Sequence, residues 1–106
     1  PGWYRLIAEL HAQLCEIDVD YEVLQVKEKF GKLRYNARSE VDDTEVQLRF
    51  DTAMYDAEAL SATICEWCGD TGKFCVSKHD SERRYRTLCR KCRTLSSGRG
   101  QRFRPV

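Results

Sequence analysis

The segment "ICEWCGDTGKFCVSKHDSERRYRTLCRKC", Ile64 to Cys92, holds five of the chain's six cysteines. Four of them form two Cys-x-x-Cys pairs, Cys65/Cys68 and Cys89/Cys92, with twenty residues between the pairs. That interval matches a four-cysteine zinc site. Two thiolates three residues apart can curl round one ion while backbone N–H groups of the turn point at the sulfurs. Four thiolates complete a tetrahedron at about 2.3 Å and leave no position for water. Gly69 relaxes the first knuckle, whereas Arg93 stands in the equivalent place after the second and can offset the centre's negative charge. A structural zinc contributes on the order of 10–16 kcal/mol of apparent binding energy at neutral pH. The segment is poor in apolar residues, so this metal is expected to fold it. Disulfides would need an oxidising compartment, and a thioredoxin-like redox pair would need one Cys-x-x-Cys at a βαβ junction, which is absent.

Catalysis finds few residues to work with. A closed four-sulfur site offers no open coordination position to a substrate. A zinc deaminase needs His-x-Glu feeding Pro-Cys-x-x-Cys, and neither half is present. The nearest enzymatic look-alike is the His-Asn-His nuclease group, some members of which flank their core with two Cys-x-x-Cys pairs. His79-Asp80 falls in the right interval, but no later Asn and His follow, and His11 is the only other histidine. A degenerate nuclease of that type stays a remote alternative, and no residue is assigned as catalytic. Cys75 sits mid-strand between Phe74 and Val76 and reads as an ordinary strand thiol, with a spare-ligand role open. His79 could substitute for one cysteine.

The supporting chain is short. With 106 residues, 42% hydrophobic and 33% charged, it suits one small domain with a modest core that a metal would help to hold. No apolar run reaches the ~18 residues a membrane span needs, and "PGWYRLIAEL" lacks the pattern of a signal peptide. The expectation is a cytoplasmic protein with no membrane partner. The net charge of +1 conceals a division. Residues 1–64 carry seven Lys/Arg against thirteen Asp/Glu, a net of −6, and residues 65–106 carry eleven against four, a net of +7. Either two faces serve different partners, or the halves attract each other.

Periodicity then orders the elements. Leu6, Ile7, Leu10, Leu14 and Ile17 recur at helical spacing, and Asp18 and Asp20 end that helix. Cys15 lies beside the stripe as a small buried hydrophobe. In "YEVLQVKEKFGKLRYNAR" the period drops to two: Leu24, Val26 and Phe30, then Leu33, Tyr35 and Ala37, alternate with polar residues around Gly31. This predicts a β-hairpin with one buried face. "TEVQ" fits a capping box, opening a second, longer helix along Val46, Phe50, Ala53, Met54, Ala57, Leu60 and Ile64. "GKFCVSK" and "RRYRTLC" flank the turn "HDSE" as two short strands of a zinc ribbon. The predicted fold is therefore α+β: an acidic α-β-β-α module over 1–64, a zinc ribbon over 65–93, and a basic flexible tail over 94–106.

Two basic clusters are candidate contact surfaces. On the ribbon, Arg83, Arg84, Arg86, Arg90 and Lys91 interleave with Tyr85, a footprint that suits phosphates and a stacked base. At the hairpin tip stand Lys27, Lys29, Lys32 and Arg34. Solvated strand edges would also place charges there.

"GWYRLIAELHAQL", "YEVLQVKEKFGKLRY" and "SATICEWCGDTGK…YRTLC" together resemble a family of small, mostly uncharacterised proteins encoded by bacteriophages and prophages. The resemblance runs from Gly2 to Cys92, with Gln25–Gly31 its most distinctive part. A second glycine often follows Gly31 in that family, where this chain has Lys32. The resemblance implies a source and no activity. Small phage proteins without catalytic residues commonly act by binding. Some grip host proteins, including components of antiviral defence such as CRISPR surveillance complexes, and others regulate transcription. The expectation is a zinc-stabilised, non-enzymatic protein that binds and modulates or inhibits a host protein, with direct nucleic-acid binding as the alternative.

Overall fold

The computed structural model describes residues 2–77, 83–98 and 102–106. The elements run α1 (Tyr4–Ile17), β1 (Glu22–Lys29), β2 (Lys32–Arg38), α2 (Thr44–Ser61), β3 (Lys73–Ser77), β4 (Tyr85–Leu88), α3 (Arg90–Gly98) and β5 (Phe103–Pro105). The architecture is α+β, with a two-stranded sheet β1-β2 and a three-stranded sheet in the order β4-β3-β5. The turn "HDSE" and His79 lie outside the described residues.

Helix α1 buries Leu6, Leu10 and Leu14, the stripe its spacing predicts. It packs on α2, which buries Phe50, Ala53 and Ala57, and together they enclose Leu33, Tyr35 and Ala37 of β2. The α2 cap differs by one residue from the expected box. Asp43 is the N-cap, and its carboxylate accepts from the N–H groups of Glu45 (2.8 Å) and Val46 (3.4 Å). The aspartate is the better anion at a helix N-terminus, so it displaces Thr44 from that role.

Two further expectations are corrected. The hairpin buries only its second strand: all eight residues of β1 are exposed, with Leu24 at 48% and Val26 at 44%. Phe30, in the turn, is also exposed, at 64%. α2 lies along β2, where the Ser61 hydroxyl accepts from the Leu33 N–H at 2.9 Å, and among the described elements β1 has its main contacts with β2. A bulge between Val23 and Gln25 leaves Leu24 without a cross-strand partner. Cys15 is half-exposed, its sulfur 3.6 Å from His11 Nε2 at the edge of the helix stripe.

The module is held to the ribbon at one end. The Gly2 N–H donates to the Glu66 carbonyl at 2.9 Å, and Trp3 Nε1 donates to the Ile64 carbonyl at 3.0 Å. A Cβ at Gly2 would stand 2.0 Å from the Cys65 carbonyl oxygen, so only glycine allows this approach. The hairpin tip returns to the same place, where the Thr87 hydroxyl donates to the Gly31 carbonyl at 2.8 Å. The opposite end gathers acids: Asp18 accepts from the Ser39 hydroxyl at 2.6 Å, with Asp20, Asp42 and Asp43 in the adjoining turns. The body measures 49 × 25 × 18 Å.

Candidate metal centre

The first knuckle grows out of α2. Past Ser61 the chain makes an isolated bridge between Ile64 and Thr71, closing a loop around Cys65 and Cys68. Within it the Cys65 N–H donates to the Asp70 carbonyl at 2.7 Å, and the Gly69 N–H donates to the Cys65 carbonyl at 2.9 Å. Gly69 takes φ +88°, the left-handed conformation this tight turn requires. The second knuckle runs straight into α3, so Arg93 is helical and needs no glycine in that place.

The four sulfurs of Cys65, Cys68, Cys89 and Cys92 lie within 4.8 Å of one another. Cys68 and Cys89 are 3.6 Å apart. A tetrahedron with bonds of about 2.3 Å has sulfurs about 3.8 Å apart, so the donor set fits one ion of zinc's size. Cys65, Cys89 and Cys92 are buried and Cys68 is at the surface. The Cys92 N–H points at the Cys89 sulfur at 3.4 Å. Burial alone would raise the Cys65 thiol, but N–H groups of Cys89, Cys68 and Trp67 aimed at its sulfur bring it down to about 7. Burial and the neighbouring thiols push Cys92 upward. Four positioned cysteines are thus ready to hold a metal ion, and their set leaves no open position.

Cys75 is outside the cluster. Its buried thiol donates to the Lys73 carbonyl at 3.1 Å. Burial pushes its pKa up, and the Arg93 guanidinium beside it pulls the other way.

Strands β3 and β4 pair as the ribbon predicts, from Lys73↔Leu88 to Val76↔Tyr85. The segment after Cys92 departs from the expected arm. Up to Gly98 it belongs to α3, and Phe103–Pro105 is a strand antiparallel to β3, with Phe103 buried against Cys75 and Leu88.

The basic candidates separate into two groups. Lys29 lies over the Phe30 ring at 5.7 Å and Lys32 over the Phe74 ring at 5.4 Å. Tyr85 stacks on Phe74 with centroids 5.4 Å apart and planes 8° from parallel, and meets Phe30 edge-on. The two basic clusters, distant in sequence, therefore meet where the hairpin tip packs on the ribbon. Arg86 and Arg34 are engaged by acids. Arg86 reaches Glu66 at 2.7 Å and Glu28 at 3.2 Å, and Arg34 reaches Glu58 at 3.0 Å. Arg83, Arg84, Arg90 and Lys91 are exposed, as is Lys27 on β1.

Glu66 was missed by sequence reasoning. It is buried between Cys65 and Cys68 in the first knuckle, and its carboxylate also accepts from the Thr87 N–H at 3.1 Å. Burial raises its pKa, opposed by Thr87 and Arg86. An acid inside a knuckle beside an arginine-rich strand was the available signal.

Comparison with known proteins returned no match to a family model, a curated protein or a solved structure. What the geometry defines is a class: a small α+β protein with a four-cysteine metal centre. Among the described residues no helix is long and apolar enough to cross a membrane.

Proposed function

We propose that the chain is a zinc-stapled, non-enzymatic binding protein of bacteriophage or prophage origin that docks a host protein in the bacterial cytoplasm and modulates or inhibits it. One observation carries the reading. Strand β1 is exposed along its whole length, presents Val23, Leu24 and Val26, and pairs only with β2 among the described strands. An open edge with three aliphatic side chains is a template for strand addition. The bulge at Leu24 and the charges of Lys27 and Lys29 restrict which strand can pair there, which favours a particular partner over indiscriminate association. The closed sulfur set supports a holding role for the metal. Inhibition of host antiviral defence is the form that the resemblance to phage proteins suggests.

The test compares the zinc-loaded chain with its Val26→Glu variant as baits for host lysate, at equal zinc content and melting temperature. A protein retained by the first and lost by the second supports the reading. Equal retention by both, or none by either, overturns it.

Direct nucleic-acid binding is a second reading, favoured by the meeting of Lys29, Lys32, Phe30, Phe74 and Tyr85 where the hairpin tip packs on the ribbon. Rings flanked by cations suit a single strand. Gel shift at two salt concentrations tests it, since phosphate contacts weaken steeply as salt rises.

A further inference from the structure

A cleft of about 420 Å³ lies between the first turn of α3 and β5. Arg90, Arg93 and Thr94 line it from the helix, and Arg102, Phe103 and Arg104 from the strand side. No carboxylate is among the described residues that line it. Four arginines elsewhere, Arg86, Arg34, Arg38 and Arg5, each reach a carboxylate. Arg93 turns its Nη1 away from solvent and sets its guanidinium against the Cys75 thiol, so it contributes positive charge to the cleft wall rather than an open donor. The sulfur centre can account for the charge of Arg93, which follows Cys92, but not for three further arginines around the same opening.

From this geometry we infer that the α3/β5 cleft is a phosphate-binding site. Guanidinium forks match phosphate oxygens with paired N–H donors, while the Thr94 hydroxyl donates to the Arg90 carbonyl at 3.0 Å and only lines the wall. Phe103, buried at 9% exposure, closes the floor. Arg104 also lines the neighbouring hollow beside Arg83 and Tyr85, so a phosphate in the cleft is continuous with the aromatic face. The site deepens the nucleic-acid reading by naming where a strand's phosphates would lie. The same chemistry would accept a free phosphate monoester.

The experiment uses the zinc-loaded full chain and three versions: wild type, Arg102→Ala/Arg104→Ala in the cleft, and Lys29→Ala/Lys32→Ala at the hairpin tip. The two variants remove equal charge. Each is titrated with a fluorescent single-stranded oligonucleotide across a salt series, and with inorganic phosphate followed by NMR of the arginine Nε–H groups. With a strand in the cleft, the Arg102/Arg104 variant binds at least tenfold more weakly. Its slope of log affinity against log salt then becomes shallower by about 1.4, two phosphate contacts at ~0.7 each. Inorganic phosphate that shifts the Arg93 and Arg102 signals while no oligonucleotide binds supports the cleft as a monoester site and removes the nucleic-acid reading. Oligonucleotide binding weakened by the tip variant alone keeps that reading and overturns the cleft. Equal weakening by both variants, or no shift with either ligand, also overturns it.

Discussion

The Arg86 guanidinium donates to Glu66 at 2.7 Å, joining β4 to the inside of the first metal knuckle. Arg86 also reaches Glu28, whose other oxygen accepts from the Gly31 N–H at 2.5 Å. One cation thereby ties together the metal loop, the ribbon and the hairpin tip. Glu66 is nearly sealed, with a side chain 7% exposed, while that of Arg86 is 38% exposed. Removing Arg86 would leave an anion in a poorly solvated place with only the Thr87 N–H. The expected loss for Arg86→Ala is about 2 kcal/mol, below the figure for a fully buried pair because the arginine is partly hydrated. Adding Glu66→Gln should recover part of it, since the amide needs no counter-charge. Urea titrations of the zinc-loaded single and double variants measure the coupling, and strict additivity would refute the link.

The turn between β1 and β2 shows why the tip sits where it does. Phe30 and Gly31 both take positive φ, at 53° and 79°. That is the two-residue hairpin turn whose twist matches its strands. A Cβ at Gly31 would lie 2.8 Å from the Arg86 backbone nitrogen. Gly31→Ala therefore meets both conformational strain and a backbone clash, and should cost about 2 kcal/mol. For a chain of this size the melting temperature would fall by roughly 10 °C. A thermal scan showing no change would mean that the tip does not press on β4.

How legible these features were depended on how local each cause is. α1 and α2 follow from apolar spacing within a few turns, and the sulfur cluster follows from two short motifs and their separation. The exposure of β1 does not, because alternation in Leu24, Val26 and Phe30 is the same whether or not something covers the strand. Burial is a property of the neighbours, and of the hairpin's two strands it is β2 that α2 packs against. Strand β5 was hidden for a different reason. "RFRPV" is too short and too basic to signal a strand, and its partner β3 lies far back in the chain. The contacts of Gly2 and Trp3 with the first knuckle are likewise non-local and left no mark in the sequence.

The unequal strands of the hairpin give a paired prediction. Leu33 is 1% exposed within the core, so Leu33→Ala should destabilise by about 3 kcal/mol through lost burial and a residual cavity. Val26, opposite Tyr35 on the neighbouring strand, is 44% exposed. Val26→Thr should change stability by less than about 0.5 kcal/mol. Denaturant melts of both variants decide the matter. A large loss at Val26 would show that β1 is covered in solution, by a second copy or another segment.

Metal removal and pH should act through the same four thiols. With a chelator in excess, the ribbon should lose its order while the helical module keeps part of its core, since Leu10, Leu14, Leu33 and Phe50 form a cluster apart from the cysteines. Circular dichroism with and without zinc would show this, and elemental analysis should find about one zinc per chain, as four sulfurs fill one site. The sign of the pH effect follows from Cys65. Its folded pKa is depressed to about 7 from an ordinary 9.0, so its contribution to stability is whole above the unfolded value and is lost as pH falls through about 7. Cys92 and Cys68 are shifted upward and hold their protons more tightly than free thiols, so each must release one before it can bind metal. Zinc affinity should therefore weaken by at least tenfold for each unit of pH below neutral. Competition with a chromophoric chelator between pH 8 and pH 5.5 measures the slope. A flat profile would mean that the thiols are not the ligands.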